Sequence, residues 1–153
     1  MRVAGSLVVI ALAMTTVVSG QTSPAASKAP EACSLLTKED AAAALGETVQ
    51  GPKATNSPNG PSACEYTGSG LHKVHLNVIP LDAGSAGVYK MMCAKKSKEG
   101  LTGLGDTTCW YNDKHAELQV LKGLTFFSIE LSKSGDPTEA IKAVAQKVYG
   151  RLK

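Results

Sequence analysis

The chain is poor in aromatic rings, with one Trp, two Phe and four Tyr in 153 residues. A platform for stacking bases or sugars needs more rings than this, so recognition of that kind is not expected. Charge of one sign is lacking too. Sixteen Lys and Arg against thirteen Asp and Glu leave +3, far from the basic stripe that marks a nucleic-acid surface. No apolar run reaches the roughly 20 residues that cross a bilayer comfortably. The longest, Leu7 to Val18, is followed by no cysteine that could carry a lipid. Paired CxxC spacings are absent, and so is a GxSxG nucleophile elbow. The glycine-rich GLTGLGD, residues 100–106, has neither the Lys-Ser/Thr of a phosphate loop nor the GxGxxG spacing. It also leads toward a strand, whereas a phosphate cradle needs a helix N-terminus. Gly100, Gly103 and Gly105 are read as a turn.

What is present begins with an export pattern. Arg2 gives the positive end, Leu7 to Val18 the apolar stretch, and Val18-Ser19-Gly20 small residues for cleavage. Residues 1–20 are therefore expected to be a signal peptide, and Gln21 the mature N-terminus, leaving no membrane-spanning segment after cleavage. Residues 21–32, rich in Pro, Ala and Ser, read as a flexible spacer. Residues 33–153 are long enough for one domain with its own core. The expected location is secreted, periplasmic or cell-envelope. Cys33, Cys64, Cys93 and Cys109 all lie in that domain, and an even count in an exported chain implies two disulfides. Four cysteines allow three pairings.

Thr37 and Asp40 form a capping-box pattern ahead of an alanine-rich helix that Gly46 ends. GPKATNSPNGPS, residues 51–62, is expected to be a loop, because Pro, Gly and Asn break regular elements. GSG, residues 68–70, turns a hairpin whose second strand alternates Val74, Leu76 and Val78. Val88, Met91 and Met92 have helical spacing in the next segment. TTCWY, AELQVL and LTFFSIELS follow as three strands. Asp136, Pro137 and Glu139 open a last helix with the stripe Ile141, Val144, Ala145, Val148 and Leu152. The expected fold is α+β: a single antiparallel sheet of about five strands with helices on one face, in the order α-β-β-α-β-β-β-α. Cys64-Glu65-Tyr66 and Cys109-Trp110-Tyr111 each open a hairpin after a helical segment. Each cysteine would staple its strand to the segment before it, which favours Cys33–Cys64 with Cys93–Cys109.

CSLLTKEDAAAALG, CEY at a hairpin start, GLGDTTCW, a glycine hairpin and an amphipathic last helix together resemble a family of bacterial cell-envelope domains of unknown function, common in actinobacterial lipoproteins. The resemblance spans nearly all of residues 33–152. It implies an exported α+β module with no catalytic residues to carry over. The lipoprotein cysteine is missing here, and the resemblance accounts only for Cys33–Cys64, so Cys93 and Cys109 look like an addition.

Chemistry-bearing residues are thinly spread. His72 and His75 would point to opposite faces of a strand, and Asp113 with His115 make only two ligands, so no metal or other cofactor is expected. Ser85 reads as a helix N-terminus residue. The lysines Lys90, Lys95, Lys96 and Lys98 can be a solvated helix end or a patch for an anionic surface. Asn56 and Asn59, in the 51–62 loop, and Trp110, on its strand, complete the possible interaction surface. Trp110 and Tyr111 alternate faces, so one is expected inside and the other out. Met91 and Met92 suit either a helix–sheet core or the wall of an apolar groove. The expected function is a non-catalytic, exported binding or interaction module, its partner an unknown protein or envelope component and not nucleic acid. The alternative is a small envelope enzyme or an apolar-ligand carrier with a pocket between sheet and helices.

Overall fold

A computed structural model describes residues 29–58, 60–98 and 101–153. The expected signal peptide, most of the spacer, Asn59 and Gly100 lie outside the described residues.

The domain is α+β, built on one open antiparallel sheet. The elements run α1 (Ala32–Leu35), α2 (Lys38–Leu45), β1 (Gln50–Asn56), β2 (Ser62–Thr67), β3 (Lys73–Pro80), α3 (Ala83–Cys93), β4 (Thr107–Trp110), β5 (Glu117–Lys122), β6 (Thr125–Ser132) and α4 (Thr138–Arg151). The sheet order is β1-β2-β3-β6-β5-β4. The two hairpin units therefore join through β3 and β6, whose register runs from Lys73 opposite Ser132 to Pro80 opposite Thr125.

Strand alternation sets the core. Val74, Leu76 and Val78 share a face with Phe127, Ile129 and Leu131, and with Leu118, Val120 and Trp110, through directly opposed pairs. Against it pack α1, α2 and α4, the last by Ile141, Val144, Ala145 and Val148. A fully buried side chain of this size contributes about 1.5–3 kcal/mol relative to exposure. The Cys33–Cys64 disulfide joins α1 to β2 on this side.

Four features differ from the sequence expectation. The segment read as a loop contains a sixth strand, β1, which no side-chain pattern signalled because all seven of its residues are exposed. It is an edge strand, and its register shifts between Gln50 and Lys53, so Pro52 sits where a missing N–H is tolerated. The first helix begins earlier, as the short turn α1. Leu36 and Thr37 are extended, and α2 starts afresh with the Thr37–Asp40 capping box. In α4 the first helical residue is Thr138, and Asp136 caps from outside by accepting its N–H at 2.9 Å. Finally, α3 lies across the sheet from the other three helices. Cys109, which holds its end, neighbours Trp110 on β4 and so points to the opposite face.

One charged group is buried in the helix layer. Asp40 accepts Lys147 Nζ at 2.9 Å and an Arg151 N–H, joining α2 to α4, while Arg151 also donates to the Leu35 carbonyl at 2.6 Å. Burial pushes the Asp40 carboxyl up. The bonds from Arg151, Lys147 and Thr37 outweigh it and hold the group well below the ordinary carboxylate range.

Candidate interaction surface

The helix α3 is built to be anchored at a few points. Asp82 caps it, accepting the Ser85 N–H at 2.7 Å and its hydroxyl at 3.1 Å. These bonds hold the Asp82 carboxyl below its ordinary range. Ala86, Tyr89 and Cys93, three and four residues apart in turn, face the sheet. The Tyr89 ring meets Phe126 edge-on at 5.0 Å, and its hydroxyl lies 3.7 Å from Cys109 Sγ. Burial, with Glu117 adding, pushes the Tyr89 hydroxyl above its ordinary value, so it stays protonated. The Cys93–Cys109 disulfide fixes the helix end, with the two Cα atoms 5.7 Å apart.

The opposite pole of α3 is apolar and open. Val88, Met91 and Met92 are 51%, 60% and 55% exposed. The helical spacing seen in the sequence is real, but this stripe faces away from the sheet. The core position belongs to the narrower stripe of Ala86, Tyr89 and Cys93, because the disulfide and the Tyr89–Phe126 contact set the helix rotation. Lysines lie on the same helix and in the residues just after it. Lys90, Lys95 and Lys98 are exposed. Lys96 is drawn aside: it donates to the Tyr111 carbonyl at 3.2 Å and sits 4.2 Å over the Tyr111 ring.

The remaining sequence candidates fall elsewhere. Trp110 is 1% exposed, stacked on His115 at 4.5 Å, and so belongs to the core rather than a contact surface. Tyr111, 53% exposed, is the accessible ring of the pair. Asn56 ends β1 far along the sheet, where it lines a surface hollow of about 200 Å³ with Ala29, Glu31 and Pro58. Below it, Ser62 Oγ donates to the Pro30 carbonyl at 2.7 Å and accepts the Ala32 N–H, fastening the start of the domain.

The glycine loop lines a second hollow of about 210 Å³, and two of its polar side chains are paired within the fold. Asp106 accepts the Gly123 N–H at 2.7 Å, and Thr108 donates to the Leu104 carbonyl. The segment 103–106 thus seats β4 against the β5–β6 turn. His75 lies 3.6 Å from Glu65 and His72 2.8 Å from Glu47. Among the described residues, no group of three or more His, Cys, Asp or Glu converges as metal ligands would. The space between sheet and helices, where a carrier would keep its pocket, is filled by Leu36, Leu76, Trp110, Phe127 and their neighbours. Sequence reasoning missed Tyr111 as the partner of Lys96; only the fold after β4 brings them together.

No family model matches this chain, and neither does any curated protein or solved structure.

Proposed function

We propose that this chain is an exported interaction module of the cell envelope, docking through the outer pole of α3 onto an anionic lipid surface. The carrying observation is the inverted helix: Val88, Met91 and Met92 stand open to solvent, with exposed Lys90 on the same helix and exposed Lys95 and Lys98 in the residues that follow it. An interfacial helix buries such an apolar pole in the headgroup region while its lysines meet the lipid charge. Two disulfides fit an oxidising compartment, and no described helix is long and apolar enough to cross a membrane. The export pattern of residues 1–20 and the resemblance to envelope domains support the same location.

The scale is that of reversible binding. Burying the exposed half of three apolar side chains is worth about 3 kcal/mol in sum. Each lysine near an anionic surface adds about 1 kcal/mol. Association costs offset much of this.

The test is co-sedimentation of residues 21–153 with phosphatidylglycerol vesicles and with phosphatidylcholine vesicles. Binding is expected to the anionic vesicles alone and to fade at high salt. Met91→Ser with Met92→Ser should weaken it at least ten-fold, as should Gln at positions 90, 95 and 98. A loss with the lysine variant but none with the methionine variant points to an acidic polymer and overturns the lipid reading. Equal binding to both vesicle types does the same.

A further inference from the structure

At the other end of β3 from α3, three connections bring Glu47, His72 and Ser134 into line. Glu47 follows α2, His72 ends the β2–β3 turn, and Ser134 lies between β6 and α4. His72 Nδ1 is 2.8 Å from Glu47 Oε1, and His72 Nε2 is 3.2 Å from Ser134 Oγ. The two imidazole nitrogens are thus committed to different partners, a carboxylate on one side and a hydroxyl on the other.

The proton positions follow from the chemistry of the groups. Glu47 is fixed by Ser69, whose N–H donates at 3.1 Å and whose hydroxyl donates at 2.5 Å. The Ser69 hydroxyl first, and then His72, hold the Glu47 carboxyl below its ordinary range. An ionised carboxylate only accepts, so His72 Nδ1 carries a hydrogen. In the neutral ring Nε2 is then the acceptor, and the Ser134 hydroxyl donates to it. The turn around His72 is itself pinned: its N–H donates to the Ser69 carbonyl and its carbonyl accepts the Gly68 N–H. Gly68 also leaves room for the acid. A Cβ there would lie 2.2 Å from Glu47 Oε1.

We propose that Ser134 is an activated nucleophile that takes acyl groups from activated esters, with His72 as its general base and Glu47 as the orienting carboxylate. Nucleophile, base and orienting group stand in the mutual arrangement that acyl transfer requires, with the carboxylate on Nδ1 and the serine on Nε2. Ser134 Oγ bonds to the ester carbonyl carbon as Nε2 takes its proton. The tetrahedral species then expels the alkoxide or phenoxide, which leaves with that proton. Water, deprotonated by the same nitrogen, releases the carboxylic acid and restores the serine. The site is open, since Ser134 is exposed and the His72 and Glu47 side chains are 30% and 26% exposed. It therefore suits small or extended acyl groups presented from outside rather than a buried substrate.

The experiment treats residues 21–153 with diisopropyl fluorophosphate and maps the adduct by peptide mass spectrometry, alongside release of p-nitrophenol from p-nitrophenyl acetate. One adduct is expected, on Ser134. Its rate should fall at least a hundred-fold in His72→Ala, the ordinary scale of general-base assistance. Glu47→Gln should slow it at least ten-fold. Ser134→Ala, which removes an exposed hydroxyl only, should abolish both readouts with circular dichroism unchanged. Absence of adduct on the folded parent overturns the proposal. So does a Ser134 rate that His72→Ala leaves intact, or one matched by the urea-unfolded chain. Any of these leaves the three residues as a polar clasp between turns.

Discussion

Removing the Cys93–Cys109 disulfide should release α3 while leaving the rest of the fold in place. The perturbation is the double variant Cys93→Ser, Cys109→Ser. The bond closes a loop with a sequence separation of 16, which restricts the unfolded chain by about 3 kcal/mol. Against that stands what else holds the helix. The buried Ala86 methyl contributes about 0.8 kcal/mol. Half-burial of Tyr89 and its edge-on contact with Phe126 add about 2, and the Asp82 cap about 1. Gly84 and Gly87 take back about 1 kcal/mol each. Eleven residues are also fewer than the roughly 12–15 an isolated helix needs in water. The net hold left without the disulfide is only about 2 kcal/mol, less than the bond adds, so local opening of α3 should become far more frequent. The main core, on the other face, should not notice. Hydrogen exchange read by mass spectrometry should show residues 84–94 losing protection in the variant, with β3 and β6 as slow as in the parent. If α3 keeps its parental protection, contacts beyond Ala86, Tyr89 and the Asp82 cap hold the helix and the disulfide is not its anchor. If β3 and β6 also lose protection, the separation of the two faces is wrong.

Two further outcomes test the core side. Asp40→Asn should lower stability at pH 7 by about 2–3 kcal/mol. A buried pair broken on one side costs about 3–5, discounted because Lys147 and Arg151 are half exposed. The folded carboxyl is depressed, so its contribution is complete above about pH 4, where an unfolded aspartate is ionised, and is lost as pH falls toward the folded value. Denaturant midpoints of parent and variant should therefore converge below pH 4; a gap that stays constant down to pH 2 contradicts the assignment. Gly105→Ala should cost at least about 2 kcal/mol, since its φ of +73° is unfavourable for alanine and the new Cβ would lie 2.7 Å from the Leu121 carbonyl oxygen. Gly103→Ala, at φ +70° with nothing within 4 Å, should cost about 1 kcal/mol; equal urea midpoints for the two would refute the steric part.

Features under the control of local chemistry are legible along the chain. The Thr37–Asp40 box, the alternation of Val74, Leu76 and Val78, and the stripe on α4 are periodic, contiguous signals, and each became the element it announced. The disulfide pairing was also legible, because each cysteine precedes or follows its partner by one structural unit. Tertiary structure alone decided what long-range packing controls. The strand β1 has no buried side chain, so only pairing with β2 makes it a strand. The rotation of α3, with its methionines outward, follows from one disulfide and one ring contact rather than from its own spacing. Glu47, His72 and Ser134 carry no motif at all. They lie in three separate connections, and a pattern read along the chain cannot register groups that meet only where the ends of α2, β3 and β6 converge.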